Sequence, residues 1–283
     1  PNGTNLTFPN NSLTVILLHY HKFKIFPNRF FDRMNKLEAF NASYGAAEVP
    51  EDHFMSREEQ LTLLDFYLNS IQKLPNFTGI ETHYKLNHIK LDKNNIKGEI
   101  PSTFLCNATN LEKLELEYNE ITSMAEGVFK DTFKLKEVYL NSNKIVSLPN
   151  DPGVGPNCSL EKLQLYDNKL TEIAVDFMKN MHRLTYANFG KNMFEIHPPW
   201  YVYPQPNSIA ENPMVNNPQL KKIPELFLKG KNSLKYLYLH ANPLLTALPN
   251  DTGLTYNTVL ERVYAYSCAI SYVPASFFVN MTG

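Results

Sequence analysis

Apolar residues recur along the chain in a fixed phase. From Leu111 to Ile121, leucine or isoleucine occupies positions 1, 4, 6 and 11 of the segment. The alternation around positions 4 and 6 is that of a short strand with one buried face. Such strands, recurring at short intervals, are expected to stack as a parallel sheet, since one repeat cannot bury its own apolar face. The phase begins eleven times, at intervals of 24 to 26 residues: Leu13, Leu37, Leu61, Leu86, Leu111, Leu135, Leu160, Leu184, Ile209, Leu234 and Leu260.

Asparagine occupies the ninth position in eight of these eleven repeats: Asn69, Asn94, Asn119, Asn143, Asn168, Asn192, Asn217 and Asn242. The chain leaves the strand at this position, and a buried amide can satisfy backbone groups that the turn leaves without partners. These side chains are therefore predicted to form a hydrogen-bonded ladder. The other three repeats have His21, Gly45 and Cys268, which predict a less regular turn near the start and a buried thiol at Cys268.

The pattern L-x-x-L-x-L-x-x-N-x-L resembles the signature of the leucine-rich-repeat family. The resemblance covers the chain from residue 13 onward, and residues 1–12 match the tail of a preceding repeat. It implies one solenoid over 1–283, shaped as a horseshoe or arc. A parallel β-sheet would form the concave face, with irregular loops and short helical turns on the convex face. The cysteine-bonded caps usual in secreted members have no counterpart here, so we expect a longer parent chain.

Composition narrows the function classes. Hydrophobic residues make up 43% of the chain, charged residues 19%, and the formal net charge is −1. This balance argues against a disordered tail, and it provides no basic field for nucleic acid or an anionic membrane. No run of about 18 apolar residues occurs, so no membrane span is expected in this segment.

Asparagine is abundant, with 32 residues, and part of this excess lies in glycosylation acceptor patterns. Chance would give roughly three or four N-x-S/T sites at this composition, and none of those present overlaps the ladder. The nine sites are Asn2, Asn5, Asn10, Asn41, Asn76, Asn107, Asn157, Asn250 and Asn280. They predict N-linked glycans, the secretory pathway and an extracellular or cell-surface location. The alternative is that asparagine-rich loops create acceptor sites that are never used.

The three cysteines give only weak support to an extracellular location. Cys106 and Cys158 lie two repeats apart, a separation of roughly 10 Å between strands. The Cα atoms of a disulfide must lie within about 7 Å, so these two cysteines are predicted to remain unpaired.

Tyrosine is concentrated at the positions predicted to line the concave face, the usual ligand face of this family. Eleven of 16 tyrosines fall at the third, fifth, seventh or eighth position of a repeat, which suits a recognition surface. The alternative is that tyrosine favours strands and stacks on itself across them. The predicted ligand-binding residues are Tyr139, Tyr166, Tyr186, Tyr236, Tyr238, His240, Arg262, Tyr264 and Tyr266. A glycan on Asn41, which falls within a strand, would direct binding toward this C-terminal part.

No set of residues predicts catalysis, a metal site or a cofactor. His19 and His21 are expected to point in different directions. Gly153-Val-Gly155 follows a proline in a loop and opens no helix, which argues against a phosphate site. Glu115 and Glu117 alternate along one strand and are expected to lie on a solvated face rather than to form an acid/base pair.

The segment from His197 to Pro206 departs from the repeat pattern and contains Trp200, the only tryptophan. It predicts either a polyproline-like convex segment that packs the indole or an exposed aromatic patch for a partner.

Together these features predict a non-catalytic extracellular module that recognises a protein or glycan, such as part of a receptor-like or adhesion ectodomain. The alternative is a structural glycoprotein of an extracellular matrix, cell wall or filament, which would self-associate through its uncapped ends or the Trp200 segment.

Overall fold

The computed structural model describes residues 12–27, 30–31, 34–49, 60–74, 85–174, 176–196, 211–229, 234–254 and 259–278. These residues form a β-solenoid in which eleven strands pair in parallel within one sheet. The predicted fold is confirmed, and each strand of this sheet begins two residues after one of the repeat starts. The strands are β1 Val15–Leu17, β2 Ala39–Asn41, β3 Leu63–Asp65, β4 His88–Lys90, β6 Lys113–Glu115, β8 Glu137–Tyr139, β9 Lys162–Gln164, β10 Tyr186–Asn188, β11 Glu211–Pro213, β12 Tyr236–Tyr238 and β13 Arg262–Tyr264.

A second, two-stranded parallel sheet follows the main one in two adjacent repeats. It pairs β5, Lys97–Ile100, with β7, Glu120–Met124, and its register shifts between Gly98 and Glu99. Only one helix occurs in the described ranges, the 3-10 helix Ala275–Phe278. Turns and irregular segments form the rest of the convex side.

The main sheet separates phenylalanine from tyrosine. The middle residue of most strands is buried, whereas the flanking residues stay partly accessible, as in β4, β8 and β12. The buried face packs against convex-side residues, and the largest fully buried side chains are all phenylalanines: Phe31, Phe40, Phe66, Phe104, Phe129, Phe177, Phe189, Phe194 and Phe227. Tyrosine carries a hydroxyl that needs a partner, so it lies on the open face instead.

The ladder asparagines join each repeat to the one before it. Asn119 is 7% exposed, and its Nδ2 donates to the carbonyl oxygens of Leu91 at 3.0 Å, Leu116 at 3.1 Å and Glu117 at 3.2 Å. Its Oδ1 accepts from the backbone N–H of Ile96 at 3.0 Å. Leu91 and Ile96 belong to the preceding repeat. One side chain therefore closes its own turn and pairs with two backbone groups of the neighbouring turn.

The two irregular ladder positions near the start compensate each other. A side-chain carbon on Gly45 would lie 2.1 Å from His21 Cε1 and 2.7 Å from Asn69 Oδ1. The imidazole of His21 thus fills the space of the missing side chain, and its Nε2 lies 3.1 Å from the carbonyl oxygen of Ala42. Asn69 bonds to the same carbonyl at 2.7 Å.

Cys268 corrects one expectation. Its thiol takes the ladder role, with Sγ 3.1 Å from the carbonyl oxygen of Leu239, but it is partly exposed rather than buried. The described chain places a repeat on only one side of Cys268, so half of its surroundings is open. Cys106 and Cys158 form no disulfide with each other, as their separation predicts, and burial raises the pKa of Cys158.

The eighth residue of every repeat has a left-handed backbone, which the pattern did not predict. The φ angles lie between 52° and 58°, and none of the eleven residues is glycine: Tyr20, Tyr44, Leu68, Lys93, Tyr118, Ser142, Asp167, Lys191, Asn216, Ala241 and Ser267. This conformation costs about 1–2 kcal/mol for a residue with a side chain. Where a ladder asparagine follows, its side chain bonds to carbonyl oxygens on the near side of this turn, as Asn119 does to Leu116 and Glu117. These bonds hold the strained turn in place.

Asn119→Ala tests the ladder. The substitution leaves the buried Ile96 amide without its partner, which costs about 1–3 kcal/mol. It also removes the bonds that Asn119 donates, including one of the two that the Leu91 carbonyl accepts, at about 1 kcal/mol each. We expect the free energy of unfolding to fall by roughly 3 kcal/mol in a denaturant titration. Asn95→Ala, at an exposed position one residue after a ladder asparagine, is the matched control and should change it by less than about 0.5 kcal/mol. Equal losses in the two variants would contradict the assigned role.

Candidate functional site on the concave face

Six predicted residues come together at the C-terminal end of the concave face, and we refer to them as the C-terminal aromatic patch: Tyr236, Tyr238, His240, Arg262, Tyr264 and Tyr266. β12 and β13 present them, with Tyr238 directly opposite Tyr264 in the parallel register. The rings of these two tyrosines stack with centroids 4.8 Å apart and planes 2° apart. His240 stacks on Tyr266 at 4.4 Å and 13°. The separations are close to the spacing of neighbouring strands, so the backbone itself sets up the stacks.

Polar contacts hold the patch in one arrangement. Arg262 Nη1 donates to the hydroxyl oxygen of Tyr264 at 3.2 Å, and the Tyr236 hydroxyl donates to Glu261 Oε2 at 3.0 Å. Burial lowers the pKa of His240, which keeps its imidazole neutral near pH 7. The buried Nδ1 of this ring has no hydrogen-bond partner. The patch therefore presents preformed ring surfaces and one cationic side chain.

The other three predicted tyrosines form a separate region with lysines over their rings. Lys162 Nζ lies 5.1 Å from the ring centroid of Tyr139 and 5.5 Å from that of Tyr186. Lys191 Nζ lies 6.0 Å from the centroid of Tyr166. The Tyr139 hydroxyl donates to Glu137 at 2.7 Å; burial and this hydrogen bond raise its pKa. These three rings already have cationic partners.

Tyrosines also stack at the N-terminal end, outside the predicted ligand-binding residues. Tyr20 and Tyr44 stack at 4.8 Å, and Tyr44 meets Tyr67 edge-on at 5.0 Å. Lys93 Nζ donates to the Tyr67 hydroxyl at 2.9 Å. Tyrosines thus stack across strands at both ends of the sheet, which is what the alternative explanation of the tyrosine enrichment expects. The position of a tyrosine within its repeat therefore did not distinguish the N-terminal end from the C-terminal end.

Three carboxylates cluster at the middle of the concave face, where the sequence predicted a solvated surface. Asp92 is 6% exposed, Glu115 is 9% exposed, and Glu117 is half-buried. One oxygen from each lies within 4.8 Å of the others. The prediction of a solvated face is wrong for these residues because the curved sheet brings neighbouring strands close and long side chains on both sides cover the carboxylates.

The three carboxylates differ in their partners. Burial raises the pKa of Asp92 to about 6 and that of Glu117 to about 7, and the neighbouring carboxylates add to both shifts. Burial would also raise the pKa of Glu115, but hydrogen bonds from His88 at 2.9 Å and Lys113 at 2.6 Å outweigh it and lower the pKa to about 2. Asp92 Oδ1 and Glu117 Oε2 are buried without hydrogen-bond partners.

Four of the predicted glycosylation sites lie within the described residues. Asn157 and Asn250 are exposed, and Asn107 is half-buried. Asn41 lies in β2, where its Nδ2 donates to Asp65 Oδ2 at 2.8 Å. The remaining sites, Asn2, Asn5, Asn10, Asn76 and Asn280, lie outside the described residues, as does Trp200 with its segment.

The loop that carries Asn250 has a counterpart at Asn150 with a similar sequence. The contact that holds both loops is not evident from the sequence. Glu225 Oε1 and Oε2 accept from the backbone amides of Asn250 and Asp251 at 3.0 and 2.7 Å. Glu126 accepts in the same way from Asn150 and Asp151, at 2.8 Å each. One glutamate in the preceding turn therefore anchors each loop. The glutamates precede their loops by about one repeat, a long-range pairing that only the folded chain reveals.

His19 and His21 bind different groups. His19 Nδ1 lies 2.7 Å from Ser43 Oγ, whereas His21 belongs to the ladder. Gly153 has a φ of 86°, and a side-chain carbon there would lie 2.8 Å from the Cα of Gly127. Its role is a close crossing of two backbones.

Asp92→Asn tests the burial of the acidic cluster. Asp92 faces Glu115 and Asp65 as well as Lys90, with Glu117 beside it. Because its pKa is raised in the folded state, its contribution favours folding below pH 4 and is lost as the pH rises toward about 7. The asparagine side chain does not ionise, so the variant avoids this loss of stability. With EDTA present to exclude metal ions, the variant should be more stable than the parent by roughly 1–2 kcal/mol near pH 7.5, allowing for solvent screening.

The same comparison near pH 4.5 should show a smaller difference, because Asp92 is then still largely protonated in the folded chain and the loss has only begun as the unfolded side chain ionises. Chemical denaturation at both pH values measures the effect. Exposed Glu172 supplies the control: Glu172→Gln should show no such pH-dependent gain. A constant difference at both pH values would exclude titration of Asp92 as the cause.

Comparisons with known proteins agree with this architecture. The family model described as leucine rich repeat matches residues 84–145. Lumican from Bos taurus is 33% identical over 92 residues, which are 32% of this chain and 25% of lumican. The chain thus spans about a quarter of that relative's length.

Solved structures extend the likeness of fold to most of the chain. A chain of the complex of Toll with Spätzle from Drosophila matches with a TM-score of 0.70 and 16% identity, over 90% of this chain and 33% of that one. A chain of the PEPR1–AtPEP1 structure gives 0.61 and 22%, over 90% and 38%. A chain of the octameric complex of latrophilin 3, Unc5D and FLRT2 gives 0.59 and 21%, over 81% and 61%.

At these identities the structural matches establish the fold. The family match within residues 84–145 lies in the middle of a sheet whose strands keep the same repeat on both sides. The chain therefore has the leucine-rich-repeat fold, with the match to the family model over residues 84–145.

Proposed function

We propose that this chain is a non-catalytic, extracellular recognition module that binds a protein partner through the C-terminal aromatic patch. The observation that carries the proposal is the pair of parallel stacks, Tyr238 on Tyr264 and His240 on Tyr266. The rings are fixed before any ligand arrives, so binding costs little side-chain entropy.

The chemistry of the patch suits a protein surface. Tyrosine and arginine are the residues most often found at the energetic centre of protein interfaces. Tyr266 is 60% exposed and offers a ring face, while the exposed Arg262 supplies a cationic contact. Glycan binding is the competing possibility, because sugars also stack on aromatic rings.

The structural neighbours support binding as the class of function. The three matched structures are complexes of Toll with Spätzle, of PEPR1 with AtPEP1, and of FLRT2 with latrophilin 3 and Unc5D. Those partners are the partners of the neighbours, not of this chain. For this chain, they favour a protein-binding role at the cell surface or outside the cell, in a receptor-like or adhesion context.

The acceptor sites for N-linked glycans support the extracellular location. Asn157 and Asn250 are exposed on the loops outside the concave sheet, so glycans there leave the C-terminal aromatic patch open. Among the described residues, no helix is long and apolar enough to cross a membrane.

Tyrosine-to-alanine substitutions test the patch. The chain, produced by secretion from eukaryotic cells, is screened against individually displayed secreted and cell-surface proteins of its source organism. For a partner found this way, Tyr238→Ala and Tyr264→Ala should each weaken binding at least about tenfold, since a central aromatic at an interface contributes about 2 kcal/mol or more. Surface plasmon resonance measures the affinities.

Tyr118→Ala is the matched control, because Tyr118 is a concave-face tyrosine that is 52% exposed and lies outside the patch. It should leave the affinity unchanged. Unchanged binding in both patch variants would overturn the proposed surface. Assembly of the purified chain without any partner, seen by light scattering, would instead favour the structural glycoprotein.

Intact-mass measurement tests glycosylation. The secreted chain should lose mass on enzymatic removal of N-linked glycans. Asn157→Gln and Asn250→Gln should each remove one glycan, because both asparagine side chains are exposed. The Asn150 loop provides a gain-of-site variant: Pro152→Thr completes an acceptor pattern in the loop that Glu126 anchors as Glu225 anchors the Asn250 loop. We expect it to add one glycan. A chain whose mass is unaffected by the enzyme would contradict the glycosylation prediction and weaken the case for an extracellular location.

A further inference from the structure

The acidic cluster at the middle of the concave face has geometry that the recognition function does not use. Asp92 and Glu117 occupy the seventh position of adjacent repeats, and Glu115 lies two residues before Glu117 on the same face. One oxygen from each of the three carboxylates lies within 4.8 Å of the other two. Two oxygens bound to a common Ca²⁺ at about 2.4 Å lie at most about 4.8 Å apart, so the separations allow a shared ion.

A second observation shows that the cluster lacks a partner. Asp92 is more than nine-tenths buried, and its Oδ1 has no hydrogen-bond donor. Glu117 Oε2 is also buried and without a donor. A buried acceptor without a donor is unfavourable, and the neighbouring carboxylates of Asp92 and Glu117 repel each other when both are charged. A cation held by the cluster relieves this repulsion.

We propose that Asp92, Glu115 and Glu117 form a calcium-binding site that links two neighbouring repeats on the concave face. All three ligands are oxygens, which suits a hard cation and disfavours zinc, whose sites are rich in nitrogen and sulfur. Mg²⁺ binds at 2.0–2.1 Å with strict octahedral geometry, which separations of up to 4.8 Å fit less well than the longer and more flexible bonds of Ca²⁺. Water completes the coordination on the open side of the sheet.

Neighbouring cations leave room for the ion. Lys113 and His88 both contact Oε1 of Glu115, so its other carboxylate oxygen remains for a ligand bond. Lys90 lies 3.7 Å from Asp65 Oδ2, and Lys93 donates to the hydroxyl of Tyr67. Lys113 is thus the cation that most directly competes with Ca²⁺, and its removal should strengthen binding.

Isothermal titration of CaCl₂ into the EDTA-treated, re-dialysed full chain near pH 7.5 tests the site. We expect one binding event with a dissociation constant of about 10⁻⁴ to 10⁻³ M, the range of extracellular calcium modules. Asp92→Asn and Glu117→Gln should each weaken it at least about tenfold, because each removes a charged ligand. Glu172→Gln, at an exposed position away from the cluster, should bind as the parent does.

Lys113→Gln keeps the proposal testable if a ligand variant fails to fold. It removes the competing charge and should tighten Ca²⁺ binding several-fold. A parent chain that gives no saturable heat up to about 10 mM CaCl₂, well above the expected dissociation constant, would overturn the proposal, as would unchanged affinity in both ligand variants. Equal affinity for MgCl₂ would contradict the selectivity argued from the oxygen separations.

Discussion

Each buried asparagine amide joins two consecutive turns of the solenoid, and the other features of the fold depend on this contact. Strands of three residues make few hydrogen bonds of their own, so the turn that follows them must be held by something else. Asn94 shows the solution: its Nδ2 donates to the carbonyl oxygens of Phe66 and Leu91 at 2.9 and 3.0 Å, and its Oδ1 accepts from Ile71 at 3.0 Å. Repetition of this contact sets the spacing and register of the whole sheet.

The ladder also explains why the chain tolerates a strained residue in every repeat. The eighth residue is left-handed eleven times, even where it is a tyrosine, a leucine or a lysine. The strain is local, whereas in eight of the eleven repeats the ladder asparagine that follows satisfies backbone groups in two repeats. Because a buried group without a partner costs about 1–3 kcal/mol, the hydrogen bonds outweigh a strain of about 1–2 kcal/mol.

The period of the sequence was enough to predict the fold and the position of every strand in the main sheet, because in a solenoid each repeat contacts only its neighbours. Departures from the period were harder to interpret. His21 and Gly45 each looked like an isolated irregularity, yet one side chain fills the space that the other leaves. Such compensation joins residues one repeat apart, and no pattern within a single repeat contains it.

The concave face was predictable in position but not in environment. The phase of the repeat predicted that Glu115 and Glu117 lie on the open side of the strand. The alternation of residues alone predicts that side chains on this side are exposed to solvent. Curvature changes this, because side chains on the concave side of an arc converge. At the middle of the face this convergence brings three carboxylates close together and Lys113 within 2.6 Å of Glu115.

The same convergence gives the concave face distinct regions along its length. In the middle, lysines form ion pairs with carboxylates, and neighbouring carboxylates repel one another. Tyr139 lies between Lys113 and Lys162, whose Nζ atoms are each 5.1 Å from the centroid of its ring. Toward the C-terminal end, Tyr238 stacks on Tyr264 and His240 stacks on Tyr266. A ring that already holds a lysine must give up that contact to bind a ligand, whereas the outer face of a stacked ring need not. The regular spacing of the strands thus provides equivalent positions, and the charges placed on them decide which positions are ready to bind.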